Sequence, residues 1–475
     1  SKRMTETLVR KLRDSGTLRW SMLALISISM MCGYIITDVV APLKTMLEQP
    51  PLSWDSYDYG VFTSGYGWLN VFLLMLIFGG IILDRMGIRF TGTTSILVMI
   101  TRSAIKVWAI STTFAEPMVS LPLGLVMKKQ VLFAALGFAI FGVGVEMVGI
   151  TANKAVVKWF TGKELALAIG MNTAMGRIGT LLALNFAPKI AVHFQTSALA
   201  ERFNPVSIPV LFGLGLLVIG LLTFLVYGVF DRKLDREISD SEAAPEEPFS
   251  FRDIGLIATN SGFWLITILC ILFYSAVFPF LKYAPDFMFQ KFGIPLERAG
   301  EIPSLLPLGT LFLTPLFGSL YDHKGRGATI MLIGSALLVM VHVLFSVPML
   351  DSTWIAVVLI VVLGIAFSLV PSAMWPSVAK IIPINRLGTA YSVIFWVQNI
   401  GLSGVPLLIG WVLDKYCKTG EMLVNGVVTP TYDYSYPMMI FAGFGVLSIF
   451  FALLLKRDDR KKGYGLELPN IVKDR

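Results

Sequence analysis

Twelve long apolar stretches, separated by shorter polar loops, constrain this sequence more than any other feature. Each approaches or exceeds about 20 residues, the length that an α-helix needs to cross the hydrocarbon core of a bilayer. Hydrophobic residues make up 55% of the chain and charged residues only 15%, too few to cover a soluble fold of this size. The predicted spans are 20–43, 58–82, 90–113, 130–152, 164–190, 206–230, 259–282, 299–321, 327–348, 353–377, 386–413 and 434–456. We therefore predict an all-α membrane protein with twelve transmembrane helices.

A polar segment, 231–255, divides the spans into two sets of six. It contains prolines and an acidic run and lacks an apolar face, as is typical of a linker. Lys and Arg are concentrated in the tails 1–19 and 457–475, in the linker and in the loops on the same side, so the positive-inside rule places that side in the cytoplasm. We predict two pseudo-symmetric halves, 20–230 and 256–456, with both tails cytoplasmic. The net charge of +8 then reflects topology and contact with lipid, not binding of nucleic acid.

One short loop pattern occurs twice, half a chain apart, after the second and the eighth span. Its residues are Gly80, Asp84, Arg85, Gly87 and Arg89 in the first loop (80–89), and Gly318, Asp322 and Gly325 in the second loop (318–326). Duplicated membrane units are typical of transporters built from two similar halves. We interpret each loop as a two-state latch. Glycine permits close approach and a sharp turn, and the aspartate accepts hydrogen bonds or pairs with arginine while that side of the membrane is closed.

Five ionisable residues lie well inside predicted spans, all of them in the first half: Asp38, Arg102, Lys106, Glu146 and Arg177. A charge in the bilayer core costs at least about 2.5–3.5 kcal/mol, so each needs a partner or a wet cavity. Glu146 can accept hydrogen bonds from an ammonium and Arg177 can hold a carboxylate with its planar fork. Together they predict a site for a zwitterion; the alternative is a mutual salt bridge that only joins two spans.

The other candidate site residues carry weaker arguments. Asp38 follows Tyr34 by one helical turn and can hold an ammonium or a proton. Arg102 and Lys106 share a helix face, so they would attract an anion or pair with an acidic residue. In the second half we expect aromatic and amide groups, and no deep charges, to line the cavity. The candidates there are Tyr274, Trp375, Gln398 and Asn399.

The first loop resembles motif A of the major facilitator superfamily, and the second is a weaker copy because His323 and Lys324 depart from the pattern. Further stretches resemble the branch of that superfamily that exports dipeptides from lysosomes: 153–165 with 175–179, 276–280 with 291–293, 375–379, and 387–391 with 398–402. The resemblance implies alternating access between two six-helix halves. It also implies that Glu146 and Arg177 hold the two ends of a short peptide and that Asp38 matches an aspartate of the first span.

Two departures from that branch keep alternatives open. Arg102 and Lys106 have no charged counterpart in it, so an acidic peptide or another organic anion is an alternative substrate. The stretch around Glu146 also resembles the anion:cation symporter branch, which makes proton-coupled symport of an organic anion the second hypothesis. A scaffold or receptor on the same fold is a third. We expect proton coupling through Glu146 or Asp38 and, since the sequence contains no Asn-x-Ser/Thr acceptor, a bacterial inner membrane.

Other classes of function lack support in the sequence. Three cysteines (Cys32, Cys270, Cys417) and three histidines are scattered, and neither a nucleophile elbow nor a phosphate-binding loop occurs. We therefore expect no enzyme activity, no metal and no cofactor. The expected partners of a monomer are a small-molecule substrate and the bilayer. In the loop 414–433, Asn425-Gly426 between apolar pairs predicts a β-hairpin.

Overall fold

The long apolar stretches form helices in the computed structural model, which describes residues 12–160, 164–237 and 250–471. The helices up to the linker are α1 (Gly16–Asp38), α2 (Lys44–Glu48), α3 (Ser56–Gly65), α4 (Trp68–Phe72), α5 (Met75–Ser111), α6 (Lys129–Phe160), α7 (Leu165–His193), α8 (Leu199–Arg202) and α9 (Ser207–Glu237). The helices that follow are α10 (Phe251–Ile257), α11 (Ser261–Ser275), α12 (Phe278–Phe292), α13 (Leu305–Lys324), α14 (Gly327–Ser346), α15 (Thr353–Ile381), α16 (Ile384–Val412) and α17 (Ser435–Lys462).

Ten helices or helix pairs in the described part of the chain are long and apolar enough to cross a membrane. Two of the predicted spans have a different form. Span 58–82 is divided among α3, α4 and the start of α5, with Leu74 in the left-handed conformation at φ 52°. Span 299–321 corresponds to α13, which contains Pro315 and ends in charged residues. The count of twelve transmembrane helices stays a prediction.

Both loops of the doubled pattern contain a glycine at positive φ. Gly87 interrupts α5 at φ 84° and ψ 172°, so the helix changes direction between the second and third predicted spans. Gly325 ends α13 at φ 73°, and Arg326 follows at φ 66° before α14 begins. Only glycine adopts such angles without strain from a Cβ atom, which explains its place at both turns.

Each half has its own packing, and the two halves meet along a few elements. In the first half α1 packs on α7 and α9, and α5 packs on α6 and α9. In the second half α14 packs on α15 and α17, and α11 packs on α16 and α17. Between the halves, α3 crosses α16, α7 meets α13, and the turn Ala41–Leu43 meets α12. Close approach at the first crossing requires glycine, because a Cβ on Gly60 would lie 2.8 Å from the carbonyl oxygen of Pro406.

Strands occur only as two small hairpins within the described ranges. One joins β1 (Met118–Ser120) to β2 (Val126–Lys128), and the other joins β3 (Lys418–Val424) to β4 (Val427–Tyr432). The second hairpin confirms the prediction from Asn425-Gly426, which take φ 53° and φ 78° at its turn. We call the membrane face where α1 begins and α17 ends the tail side, and the opposite face the far side. Both hairpins lie at the far side. Helix α9 continues to Glu237 and α17 to Lys462, so the predicted linker and C-terminal tail begin inside helices.

Candidate substrate-binding site

Two opposite charges of the first half lie inside the membrane part of the molecule. Glu146 on α6 accepts a hydrogen bond from the Tyr66 hydroxyl, with 3.0 Å between the oxygens. Arg177 on α7 places its guanidinium carbon 5.0 Å from the centre of the Phe367 ring, which belongs to α15 of the second half. Tyr34 on α1 lies within electrostatic range of both charges and of Asp38. The fold therefore brings Tyr34, Glu146 and Arg177 into one region, as the charge pattern of the sequence suggested.

Glu146 and Arg177 form no ion pair with each other in this conformation, as far as the chain is described. Both side chains are half-buried. Glu146 contacts a tyrosine hydroxyl and Arg177 an aromatic ring, and both groups bind a charge less strongly than an opposite charge does. Each charge can thus gain from a ligand group of opposite sign. The arrangement differs from the mutual salt bridge that was the alternative interpretation.

Glycines on α7 set the distance between this helix and α1. A Cβ on Gly176 would lie 3.0 Å from Cδ2 of Tyr34, and one on Gly179 would lie 2.4 Å from the backbone oxygen of Met31. The second distance is shorter than any ordinary contact, and the atom it meets is backbone, so a larger residue would push the helices apart. Such a shift would move Arg177 away from Tyr34. The small residues on both sides of Arg177 therefore position it.

Aromatic side chains of the second half face Arg177. Tyr274 on α11 lies within electrostatic range of Arg177 and packs edge-on against Phe367 at 5.8 Å between ring centres. The Trp375 indole N–H donates to the Tyr274 hydroxyl at 3.1 Å, and the Tyr391 hydroxyl donates to the backbone oxygen of Trp375 at 2.9 Å. These hydrogen bonds hold the rings in fixed orientations. Tyr274 and Trp375 thus form part of a rigid aromatic wall.

The amide candidates lie on α16, near the point where the halves touch. Asn399 is buried; its Nδ2 donates to Phe395 of the same helix at 2.9 Å, and its Oδ1 has no partner among the described residues. Gln398 is half-buried and forms no side-chain hydrogen bond within the same ranges. Trp396 donates to the backbone oxygen of Val71 in α4 at 2.9 Å, which ties the two halves together. Asn399 therefore keeps a free acceptor beside an inter-half contact.

Asp38 pairs with a lysine of the second half. Its Oδ1 lies 2.8 Å from Nζ of Lys282 on α12, and its Oδ2 accepts a hydrogen bond from Thr180 at 2.7 Å. The cation beside Asp38 in this conformation is therefore a protein side chain. Sequence reasoning undervalued Lys282 because it lies at the predicted end of a span. The charged partner of Asp38 thus comes from the second half.

A buried ion cluster joins the halves at the far side. Nζ of Lys44 lies 2.8 Å from Oε1 of Glu48 and 2.9 Å from Oδ2 of Asp286, and all three side chains are buried. Asp286 on α12 also accepts hydrogen bonds from Thr45 at 2.7 Å and from the Tyr434 hydroxyl. We name Lys44, Glu48 and Asp286 the far-side ion cluster. The sequence signal was Lys44 and Glu48 four residues apart, just beyond the first predicted span.

Further polar contacts between the halves lie on the same side, in addition to the hydrogen bond from Trp396 near the middle of α16. The backbone N–H of Ser56 donates to Asp414 at 3.0 Å, and Lys189 pairs with Glu301 at 2.9 Å. At the tail side, the described residues show neither a hydrogen bond nor an ion pair between the halves. This conformation is therefore closed at the far side.

Lys106 is enclosed by aromatic rings. Its Nζ lies 4.3 Å from the centre of Phe138, 5.4 Å from Phe62 and 5.6 Å from Phe141, and it has no hydrogen-bond partner in the described chain. The side chain is fully buried. Nε of Arg102, one turn earlier, likewise has no partner. In this conformation neither residue forms an ion pair with a described acidic residue, so the lysine is stabilised by the ring faces.

The two loops of the doubled pattern have different partners. Arg89 of the first loop pairs with Asp231 at 3.0 Å and with Asp235 at 2.7 Å on α9, and Lys158 of α6 also pairs with Asp231 at 2.8 Å. The second loop is covered by the chain that follows α17, through Asp322 among others.

The remaining positions of the pattern are less constrained. A Cβ on Gly80 or Gly318 would meet open space, and Arg85 is exposed. The side chain of Asp84 lies outside the described part of the structure. The latch interpretation of these residues stays a prediction.

Comparison with known proteins gives a consistent result. The family model described as Major Facilitator Superfamily matches residues 22–406. The lysosomal dipeptide transporter MFSD1 of Homo sapiens is 28% identical over 385 residues, which are 81% of this chain and 77% of that protein. The relative of the same name from Danio rerio is 28% identical over 384 residues, 80% of this chain and 78% of its own. Among solved structures, a bacterial homolog of the human lysosomal transporter Spinster, in an inward-facing and unoccupied conformation, superposes with a TM-score of 0.70 at 15% identity and covers 94% of this chain and 98% of its own.

Proposed function

Because this chain belongs to the Major Facilitator Superfamily, a family of membrane transporters, we propose that it carries a dipeptide or a similar small zwitterion by alternating access. The observation that carries the proposal is the pair Glu146 and Arg177, two unlike charges inside the membrane that are not neutralised by each other. The dipeptide transporters at 28% identity support the same substrate class. Two six-helix halves, 20–230 and 256–456, with twelve helices and both tails in the cytoplasm, complete the proposal.

In the proposed complex, the substrate ammonium binds Glu146 and the substrate carboxylate binds Arg177. Each ligand group replaces a weaker partner, the Tyr66 hydroxyl or the Phe367 ring, and recovers part of the hydration that it loses in the cavity. The aromatic wall around Tyr274 packs against the rest of the peptide. Contacts of this kind depend on the two charged ends and the peptide backbone, so the site would tolerate many side chains.

The change between the conformation open at the tail side and the conformation open at the far side then depends on the far-side ion cluster. In this conformation Lys44 joins Asp286 across the halves. Among the residues that the structure describes, no hydrogen bond or ion pair joins the halves at the tail side. Opening of the far side separates this pair and the pair of Asp38 with Lys282, while the tail side closes around the two loops. A proton carried by Asp38 or Glu146, and a bacterial inner-membrane location, stay predictions.

The organic-anion alternative receives less support. It relied on Arg102 and Lys106 as a cationic pair that attracts an anion. Three rings surround the Lys106 ammonium and its side chain is fully buried, so this conformation offers an anion no open approach to it. The site at Glu146 also places an acidic group where a simple anion would be repelled.

Uptake into proteoliposomes tests the proposal. Radiolabelled dialanine is compared with its N-acetylated and C-amidated forms, each of which lacks one terminal charge. A charged hydrogen bond is worth about 1.5–3 kcal/mol, so Arg177→Leu should reduce dialanine uptake about 10- to 150-fold. The amidated form should be a poor substrate in both proteins. Arg202→Leu, on the exposed far side, is the matched control and should leave uptake unchanged.

Two results would contradict the proposal. One is dialanine uptake by the Arg177→Leu variant at the rate of the unmodified protein. The other is equal uptake of dialanine and of its C-amidated form, since a site that binds the substrate carboxylate through Arg177 must distinguish them. Uptake of a sugar acid in place of dialanine would favour the organic-anion alternative.

A further inference from the structure

The chain after α17 folds back across the second loop. We name residues 463–471 the strap. The N–H of Arg326 donates to the backbone oxygen of Glu467 at 3.0 Å, and the N–H of Gly327 donates to that of Leu466 at 2.9 Å. Leu466 is fully buried. In the middle of the second loop, the strap donates two hydrogen bonds to Asp322. The strap thus pairs with the loop through backbone groups both at Asp322 and at the end of the loop.

Glu467 adds a specific side-chain contact. Its Oε1 accepts a hydrogen bond from the N–H of Thr329 and its Oε2 accepts one from the Thr329 hydroxyl, both at 2.9 Å. Thr329 lies in the first turn of α14, where backbone N–H groups lack helical partners and a negative charge is favourable. Glu467 therefore caps α14 from a distant part of the sequence and fixes where the second loop ends.

Other elements of the second half anchor the strap. Nζ of Lys380 on α15 donates to the backbone oxygens of Gly465 at 3.1 Å and Leu468 at 2.9 Å. Oδ1 of Asp459 on α17 accepts from the N–H groups of Gly465 at 3.0 Å and Leu466 at 3.2 Å. The strap therefore connects the second loop with α15 and α17 at the tail side.

The first loop is connected to its neighbouring helices by side chains instead of by backbone groups. Arg89 and Lys158 meet Asp231 and Asp235, which connects that loop with α6 and α9. At the same offset in the second half, Gly327 stands in place of Arg89. A Cβ there would lie 2.7 Å from the backbone oxygen of Leu466, so the strap occupies the space that a side chain would need.

We propose that the strap is the fixed partner of the second loop, in place of the arginine that the first loop uses, and that Glu467 is a positioning residue for transport. The second loop can contribute to closure of the tail side only when it is ordered. If the strap is loosened, the loop becomes disordered while the tail side is open and loses conformational entropy each time that side closes. This cost shifts the equilibrium toward the state with an open tail side. The proposal concerns the conformational cycle and is independent of the substrate.

Two measurements on the full chain in lipid nanodiscs, without substrate, test the proposal. In a hydrogen-exchange experiment, Glu467→Ala should raise the exchange rates of the amides of Arg326, Gly327 and Thr329 about tenfold or more. Without the Glu467 side chain, the hydrogen bonds that protect these amides open locally more often. For the second measurement a single cysteine replaces Leu167, which is exposed near the tail-side end of α7. A membrane-impermeant maleimide should label it roughly twofold faster or more in Glu467→Ala.

The controls separate this role from general destabilisation. Glu421→Ala, in the exposed strand β3, should change neither rate. Glu467→Gln, which keeps two hydrogen-bonding atoms, should give intermediate values and serves if the alanine variant folds poorly. A lower Tm with unchanged labelling of position 167 would reduce Glu467 to a purely structural residue. Unchanged exchange at 326–329 would overturn the proposal altogether.

Discussion

The far-side ion cluster allows the sharpest quantitative prediction. Asp286→Asn keeps the size of the side chain and removes its charge, so Lys44 loses its partner in the opposite half but retains Glu48 at 2.8 Å. A charged hydrogen bond is worth about 1.5–3 kcal/mol and a broken buried pair costs about 3–5 kcal/mol. Because Glu48 remains, we expect a cost of about 2–3 kcal/mol.

The cost falls on one conformation only. With the far side open, water solvates Lys44 whether residue 286 is Asp or Asn. The equilibrium should therefore shift toward the far-side-open state about 30- to 160-fold. If that state is populated at about 1% in the unmodified protein, it should rise to between a quarter and three fifths of the molecules, roughly.

Distances between spin labels can measure this shift. Met118 and Met349 are exposed far-side residues of the first and second half. Labels at these positions, in a protein whose three buried cysteines have been replaced, should show a second, longer distance in Asp286→Asn. Glu421→Gln, an exposed far-side change, is the control. A distance distribution identical to that of the unmodified protein would refute the idea that this pair holds the far side closed.

Two further predictions concern stability, measured as Tm in one detergent. Gly179→Ala should destabilise the protein by about 1–3 kcal/mol because the new methyl group meets backbone of α1, whereas Gly170→Ala in the same helix meets open space and should be neutral or stabilising; equal Tm values for the two would contradict the close approach. Lys106→Met should leave Tm unchanged or raise it, since an apolar residue of similar volume replaces an unpaired buried ammonium, with exposed Lys418→Met as the neutral control. Loss of dialanine uptake at unchanged Tm would instead assign Lys106 to the substrate site.

The sequence predicted the helices and both turns well because those features are local. Apolar length defines a membrane helix, and a glycine at positive φ defines a turn, as Gly87 and Gly325 show. The interruption of span 58–82 was not predictable from hydropathy, because its breaks at 66–67 and 73–74 depend on contacts with other helices. Trp396, for example, donates to the backbone oxygen of Val71.

The candidate site was predicted less completely. The free-energy cost of a charge in the bilayer core made Glu146 and Arg177 candidates, because an ionisable residue deep in a span is rare. The same argument missed Asp286 and Lys282, since charges near the end of a span are common and their significance depends on burial by the opposite half. Lys106 illustrates a different limit: its charge was visible in the sequence, but the three rings around it come from two other helices, α3 and α6.

The strap has a consequence for the order in which the protein is made. The partners of the first loop, Lys158, Asp231 and Asp235, all precede the helices of the second half, so this loop has its partners before the second half is synthesised. The second loop, 318–326, receives its partner only after α17 has been synthesised and residues 463–471 have emerged behind it. During biogenesis the first half can therefore mature alone, whereas the second half keeps an uncapped α14 until its last helix is in the membrane.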